Sequence, residues 1–595
     1  FFASLGGAVI GSIVGLFLLF FIGIAMIQFA INDAISSASG PATGQDDGNP
    51  IVLTMDLRYG VAAQAPPTGP EVLFGSGTGF IDYITKLDAA ASDDQVKGVY
   101  IRGSEFGIGS ARAEEYRDAL KKLQDEGKFV ITHSQGTYGG GPSSYRAIAT
   151  SDEIWMQPGS DLIASGLALE TLFMKGLFDN LSVTPEFEAL YEYKNAPNTY
   201  EEETYTEPHR LAMTDLAESL WTVSLADIAA DRGITVAEAQ AVLESTPLSA
   251  EQLIEVNFVT ELGWPEDAYD AALQRAGDDA ISIDLDSYTV PAAKFDAPVI
   301  AIVGGQGPIV NGDAGGSILQ EGNGFASATI AEAILEAGRD EDVQALVFRV
   351  DSPGGSPSAS DQIWRAIERI QEEEQKPVVV SMASVAASGG YYVSTGADWI
   401  LANRTTITGS IGIFGGKFAI EEGLARIGVN AESIKIGGTF TGAFTTTEAF
   451  TDEQRTMIRS WLERGYARFT QLVSEGRGLS LTEVDEVARG RVWSGQDAIQ
   501  NGLVDELGGL TAAIVKARSL AEIEEDVAVR ITTYPQVTPG LGLFGVQSGA
   551  SASELKAIGQ LADLINDPEI QALITEVEAA RSSRIQARMP SFTEL

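Results

Sequence analysis

"LVFRVDSPGGSPSASDQIWRAIERIQEEEQKPVVVSMASVAASGGYYVSTGADWILANRTT", residues 346 to 406, opens on an apolar β-branched run and breaks into a glycine-containing loop. It continues with apolar residues at helical spacing (Ile363, Ile367, Ile370) and reaches a second apolar run at 378–382, so it reads as strand, loop, helix, strand. A second stretch, "VYIRGSEFGIGSARAEEYRDALKKLQDEGKFVITHSQGTYGGGPSSYRAIATSDEIWMQPGS" (99 to 160), follows the same plan. With small gaps Arg102 meets Arg349, Lys128 meets Lys376 and Ile154 meets Ile400, while Tyr116, Leu120 and Leu123 supply the helix face. Farther on, "LSAEQLIEVNFVTELG" (248–263) matches "WSGQDAIQNGLVDELG" (493–508) at a similar offset. The soluble part is therefore read as a tandem duplication. Alternating strands and helices predict an α/β fold, in each copy a mostly parallel sheet covered on both faces with right-handed crossovers. Loops that do chemistry then gather at the carboxyl ends of the strands, which places the loop after Val350 and the turn at Ser388 on one edge.

A chain of 595 residues is too long for one ordinary core. Phe1 to Ile31 carries no charge, and the nearly continuous apolar run Leu5 to Ile27 would span about 34 Å as a helix, against roughly 30 Å of bilayer hydrocarbon. It reads as an uncleaved membrane anchor, because the apolar region of a cleaved signal peptide is only about 7 to 15 residues long. "SSASGPATGQDDGNP" (36–50) reads as a flexible tether. The expected division is a transmembrane anchor 1–31, a linker 32–50, an N-terminal repeat 51–290, a C-terminal repeat 291–535 joined near Pro291, and an extension 536–595. That extension carries a helical pattern at Leu555, Ile558, Leu561 and Leu564.

Acidic residues number 83 against 39 lysines and arginines, a formal charge of −44 that repels nucleic acid and anionic membrane surfaces. The absence of cysteine excludes disulfides, thiolate metal sites and cysteine nucleophiles. Only His133 and His209 are present, so a His-rich metal site is excluded and a Ser-His-Asp triad would have to use one of them. His133 ends a strand where Met382 stands in the other copy, and His209 lies near a helix start, which suits a surface or capping residue; neither makes a convincing base. The glycine clusters at 75–79, 304–316 and 437–442 lack a phosphate-loop pattern, and no nucleotide, metal or redox cofactor is implied.

The two copies differ where chemistry would sit. Ser388 in "AASGG" has no counterpart in the first copy, where its place falls on the Gly-Pro of "GGGPSS" (139–144). A serine at the start of a helix, next to a loop in which Gly354 and Gly355 can present backbone N–H groups to an oxyanion, would form one anion site from two loops. The plain alternative is a tight strand-to-helix turn beside an ordinary Pro-Gly turn. No G-x-S-x-G elbow surrounds Ser388, and without a histidine the base would be a lysine of lowered pKa. Lys194, in "ALYEYKNAPNTY" (189–200), is the candidate; its competing reading is an exposed loop lysine. The second copy offers no lysine at the matching place near Gly437, with Lys435 two residues earlier. One copy thus holds a lysine without the serine and the other the serine without that lysine.

"DSPGGS", "MASVAASGGYYVSTGAD", "TTITGSIGIFGG" (405–416), "YEYKNAP" and "GRVWSGQDAIQNGLVDELGG" (490–509) resemble peptidase family S49, in its long, duplicated signal peptide peptidase A (protease IV) form, over about residues 50 to 530. The resemblance implies a ClpP/crotonase-like fold in tandem and a Ser-Lys dyad at the interface of the repeats, with Ser388 as nucleophile and Lys194 as general base. It implies that Ser410 orients the lysine amine, and that Gly354, Gly355 and the N–H of Gly389 are oxyanion donors. It further implies a homotetrameric bowl with an apolar interior, held in the bacterial inner membrane with its catalytic part on the periplasmic side, degrading apolar remnant signal peptides. Two other classes stand beside it: a crotonase-like acyl-CoA enzyme, which would have no use for an anchor or a Ser-Lys pair, and a catalytically silent membrane scaffold.

Overall fold

The structure is a computed structural model and describes residues 48–58, 79–103, 108–138, 141–291, 293–294, 296–313, 325–524 and 527–535. The expected anchor, most of the tether, the Gly139–Gly140 pair and the C-terminal extension lie outside these residues. Among the described residues no helix is long and apolar enough to cross a membrane.

Two six-strand arrays repeat one topology. The first runs, in spatial order, Ile281–Asp284, Ile51–Asp56, Val96–Arg102, Phe129–Ser134, Glu153–Met156, Glu261–Leu262, with every neighbour parallel. The second runs Arg530–Tyr534, Val299–Gln306, Val343–Ser352, Val378–Ala387, Trp399–Ala402, Glu506–Leu507, also parallel throughout. Strand by strand, the two orders correspond. In the second sheet Val378–Ala387 is longer, and its end at 385–387 pairs with Ile407–Gly409, which pairs antiparallel with Val492–Ser494.

Continuous apolar runs form these strands because both faces are covered. Along Val343–Ser352, Leu346, Phe348 and Val350 pack into one core while Ala345 and Val347 pack into another. The helix Pro357–Arg369 starts at Ser356, whose side chain accepts the N–H of Ala359, with Pro357 in the first turn. It turns Ile363 and Ile367 inward, with Ile370 buried just beyond its end. Tyr116, Leu120 and Leu123 are likewise buried on the helix Ser110–Asp125.

The second core is shared by the repeats: Ile51, Leu53, Val99 and Val130 of the first sheet pack in one cluster with Ile300, Ile302, Val347 and Val379 of the second. Polar groups reinforce that join. Glu115 receives hydrogen bonds from Arg349, Asn403 and the N–H of Leu510, and Glu114 from Arg146, Arg404 and Thr405. Arg146 is fully buried and pairs also with Asp227. Removing one partner would strand a buried charge at a cost of about 3–5 kcal/mol, so these groups fix how the repeats sit on each other. A two-stranded antiparallel ribbon, Thr184–Ala189 with Phe414–Ala419, crosses between the repeats and aims the chain after Ala189 at the edge of the second sheet.

Candidate active site

Two loops of the second repeat and one of the first meet at that edge. The strand Val378–Ala387 ends at Ser388, which stands before the six-residue helix Gly389–Ser394 with φ 54° and ψ −116°, a backbone region that non-glycine residues rarely occupy. The strain is held by the Ser388 N–H, which donates to the carbonyl of Gly409 at 2.9 Å, and it leaves Ser388 partly exposed.

Against Ser388 lies the loop after Ser352. A Cβ on Gly354 (φ +102°) would fall 2.6 Å from the Gly389 nitrogen and 2.8 Å from Ser388 Cβ, so only glycine permits this approach. A Cβ on Gly355 would fall 2.1 Å from the carbonyl oxygen of Ile309. The N–H of Gly354 donates to Ser352 Oγ at 3.1 Å, whereas no acceptor for the N–H of Gly355 or Gly389 occurs among the described residues. The three glycines from the sequence are therefore together, but two N–H groups, not three, are available to an oxyanion.

Lys194 arrives from the first repeat, on the loop that follows the ribbon. Backbone bonds seat that loop in the second repeat: Leu190 N–H donates to Ile413 and Tyr193 N–H to Arg489. Lys194 is only 6 % exposed, so the exposed-loop reading does not hold. Its Nζ lies 3.0 Å from Ser388 Oγ, 3.0 Å from Ser410 Oγ and 3.1 Å from the Ser410 carbonyl oxygen. Burial pushes its pKa down to about 7, and no charged neighbour opposes the effect. A neutral amine has two N–H groups and one lone pair. The Ser410 carbonyl can accept only from an N–H, Ser410 Oγ can take the other, and the lone pair is then left facing the Ser388 hydroxyl. Ser410 holds φ 48° and donates its own N–H to Arg491 at 2.7 Å.

One other expectation is corrected. His209 is not a surface residue: it is 5 % exposed in the first turn of the helix Glu207–Arg232, packed against Phe173 and Tyr205. His133 is fully buried, with Nε2 3.2 Å from the Gly263 carbonyl, and burial pushes its pKa down to about 4. Lys435 lies on no strand and pairs with Glu448. Gly490 escaped attention as a site residue. A Cβ there would fall 2.5 Å from Lys194 N and 2.6 Å from its Cα. Its sequence signal was the "GRVW" run, which the first copy replaces with "STPL" (245–248).

Peptidase family S49 matches the chain twice, over residues 122–278 and 370–524. Protease 4 of Haemophilus influenzae is 32% identical over 472 residues, 76% of this chain and 74% of that protein. The chain belongs to peptidase family S49. It is accordingly a serine protease. Chloroplastic serine protease SPPA of Arabidopsis thaliana is 27% identical over 544 residues, 90% of this chain and 78% of its own length. A putative signal peptide peptidase SppA of Enterococcus faecium is 32% identical over 169 residues, 28% of this chain and 48% of that protein. One family match contains Lys194 and the other Ser388 and Ser410, while Gly354 and Gly355 fall between the two.

Proposed function

We propose that Ser388 is the nucleophile of this S49 protease and Lys194 its general base. The observation that carries the reading is the 3.0 Å approach of Lys194 Nζ to Ser388 Oγ by an amine whose pKa burial lowers to about 7. Neutral Lys194 takes the Ser388 proton as Oγ bonds to the peptide carbonyl carbon. The resulting oxyanion accepts from the N–H groups of Gly355 and Gly389, and Gly354 contributes the close approach of its loop. Collapse breaks the C–N bond, the leaving amine takes the proton from the lysine, and an acyl-Ser388 ester remains. Water then attacks the ester as Lys194 accepts its proton, the acyl C–Oγ bond breaks to release the peptide acid, and the lysine returns the proton to Ser388 Oγ. Ser410 orients the amine throughout.

The wider setting follows the family resemblance and the name carried by the Enterococcus faecium relative. The two repeats are ClpP/crotonase-like, and residues 1–31 anchor them at the periplasmic face of a bacterial inner membrane. Four copies assemble around an apolar interior that takes remnant signal peptides. Hydrolysis of a fluorogenic apolar peptide by the detergent-solubilised chain tests the chemistry. The expected result is kcat/KM rising through a limb near pH 7, with Ser388→Ala and Lys194→Ala each at least about 10³-fold slower and a fluorophosphonate probe attached to Ser388. Wild-type rates in both folded variants would remove the dyad.

A further inference from the structure

Lys194 and Ser410 come from different repeats, and the Arg491 side chain lies between a neighbour of Lys194 and a ring packed beside Ser410. The Arg491 guanidinium lies over the Trp493 ring at 4.2 Å and over the Tyr193 ring at 5.2 Å. Tyr193 immediately precedes Lys194. Trp493 packs on Gly409, which immediately precedes Ser410: a Cβ on Gly409 would fall 2.8 Å from Trp493 Cδ1. The Trp493 indole N–H donates to the Val487 carbonyl at 2.8 Å, which fixes that ring. The Arg491 carbonyl also accepts the Ser410 N–H, and its guanidinium pairs with Asp215 on the first-repeat helix Glu207–Arg232.

We propose that Tyr193, Arg491 and Trp493 form a positioning column that holds Lys194 and Ser410 in one geometry and keeps the lysine amine dry. This rests on the dyad reading given above. The column acts through packing rather than charge. Asp215 pairs with Arg491, while Arg489 pairs with Glu192 and Asp485; none of these groups nor Arg491 shifts Lys194 electrostatically, its lowered pKa coming from burial alone. Cation–π stacks of this kind are attractive enough to bias whether a short loop stays seated. Loosening the column admits water to the amine, and a better-solvated lysine holds its proton to higher pH.

The test compares the full-length chain with Arg491→Leu and Trp493→Leu by two readouts. The first is the pH profile of kcat/KM, and the second the pH dependence of trace acylation of Lys194 by an amine-reactive anhydride, read by mass spectrometry. Both limbs are expected to move up together by about one pH unit. At pH 6 that lowers kcat/KM about tenfold more than on the alkaline plateau, where only the loss of positioning is read. Trp493→Phe, which keeps a ring on the guanidinium, is expected to return the limb most of the way. If the limbs stay at the wild-type pH while thermal stability falls, the column is merely structural and the proposal is overturned. If Arg491→Leu does not fold, the Trp493 pair decides by the same criterion. An active Lys194→Ala enzyme would sink the dyad reading itself; an inactive one with unmoved limbs in the column variants sinks only the column.

Discussion

Replacing Lys194 with methionine should abolish hydrolysis and yet make the folded chain more stable at neutral pH. Burial disfavours the charged form and pushes the amine's pKa from its ordinary 10.5 down to about 7. At about 1.4 kcal/mol per unit, folding a chain whose unfolded state carries that proton costs about 5 kcal/mol. Between pH 7 and 10.5 the unfolded chain binds one more proton at this site than the folded chain, so stability rises with pH across that window. The cost is full below about pH 7 and gone above about 10.5. Methionine removes it but also removes three hydrogen-bonded contacts to the half-buried Ser388 and Ser410, worth about 1–3 kcal/mol together where water can replace them. Lys194→Met is therefore expected to gain about 2–4 kcal/mol at pH 6 and to lose about 1–3 kcal/mol above pH 10.5. Urea unfolding of the detergent-solubilised chain at pH 6, 8 and 10.5 measures the difference. A gain independent of pH, or no gain at pH 6, would refute the claim that the lysine is held neutral by burial.

Ser388→Gly should relax the left-handed backbone at φ 54°, raising stability by about 1 kcal/mol while peptide hydrolysis disappears; unchanged or lower stability would show the conformation to be unstrained. Gly490→Ala places a Cβ 2.5 Å from the Lys194 nitrogen, where backbone must yield, so kcat is expected to fall at least about 10²-fold, and a kcat within threefold of wild type would contradict the packing described. With a net charge of −44 the chain repels itself, and raising salt from 0.1 to 1 M shortens the screening length from about 10 to about 3 Å. The melting temperature should rise by several degrees over that range; a flat response would mean that the acidic surface is already neutralised.

The duplication, the alternation of strands and helices and the shared edge of the Ser388 turn with the loop after Val350 were legible because each depends on neighbours along the chain. A β-branched run buried on both faces, or isoleucines at helical spacing, leaves its mark whatever packs against it. Ser388 also stood out locally, as a serine present in one copy and missing from the other. Lys194 did not. Its loop is polar and turn-like, and nothing within it states that the side chain is 6 % exposed. Burial and the approach to a serine 194 residues away come from the inter-repeat ribbon, from the missing Cβ of Gly490 and from the shared core. His209 was misread for the same reason, since a helix start tells nothing of the aromatic rings that close over it. Gly354 was named for the right loop, but its N–H is turned to Ser352 by a hydrogen bond that spacing does not reveal. Residue type and local period thus determined which elements form and which groups could react. Desolvation and distance, which set whether a lysine is a base, are properties of atoms far apart in sequence, and only the tertiary structure decided them.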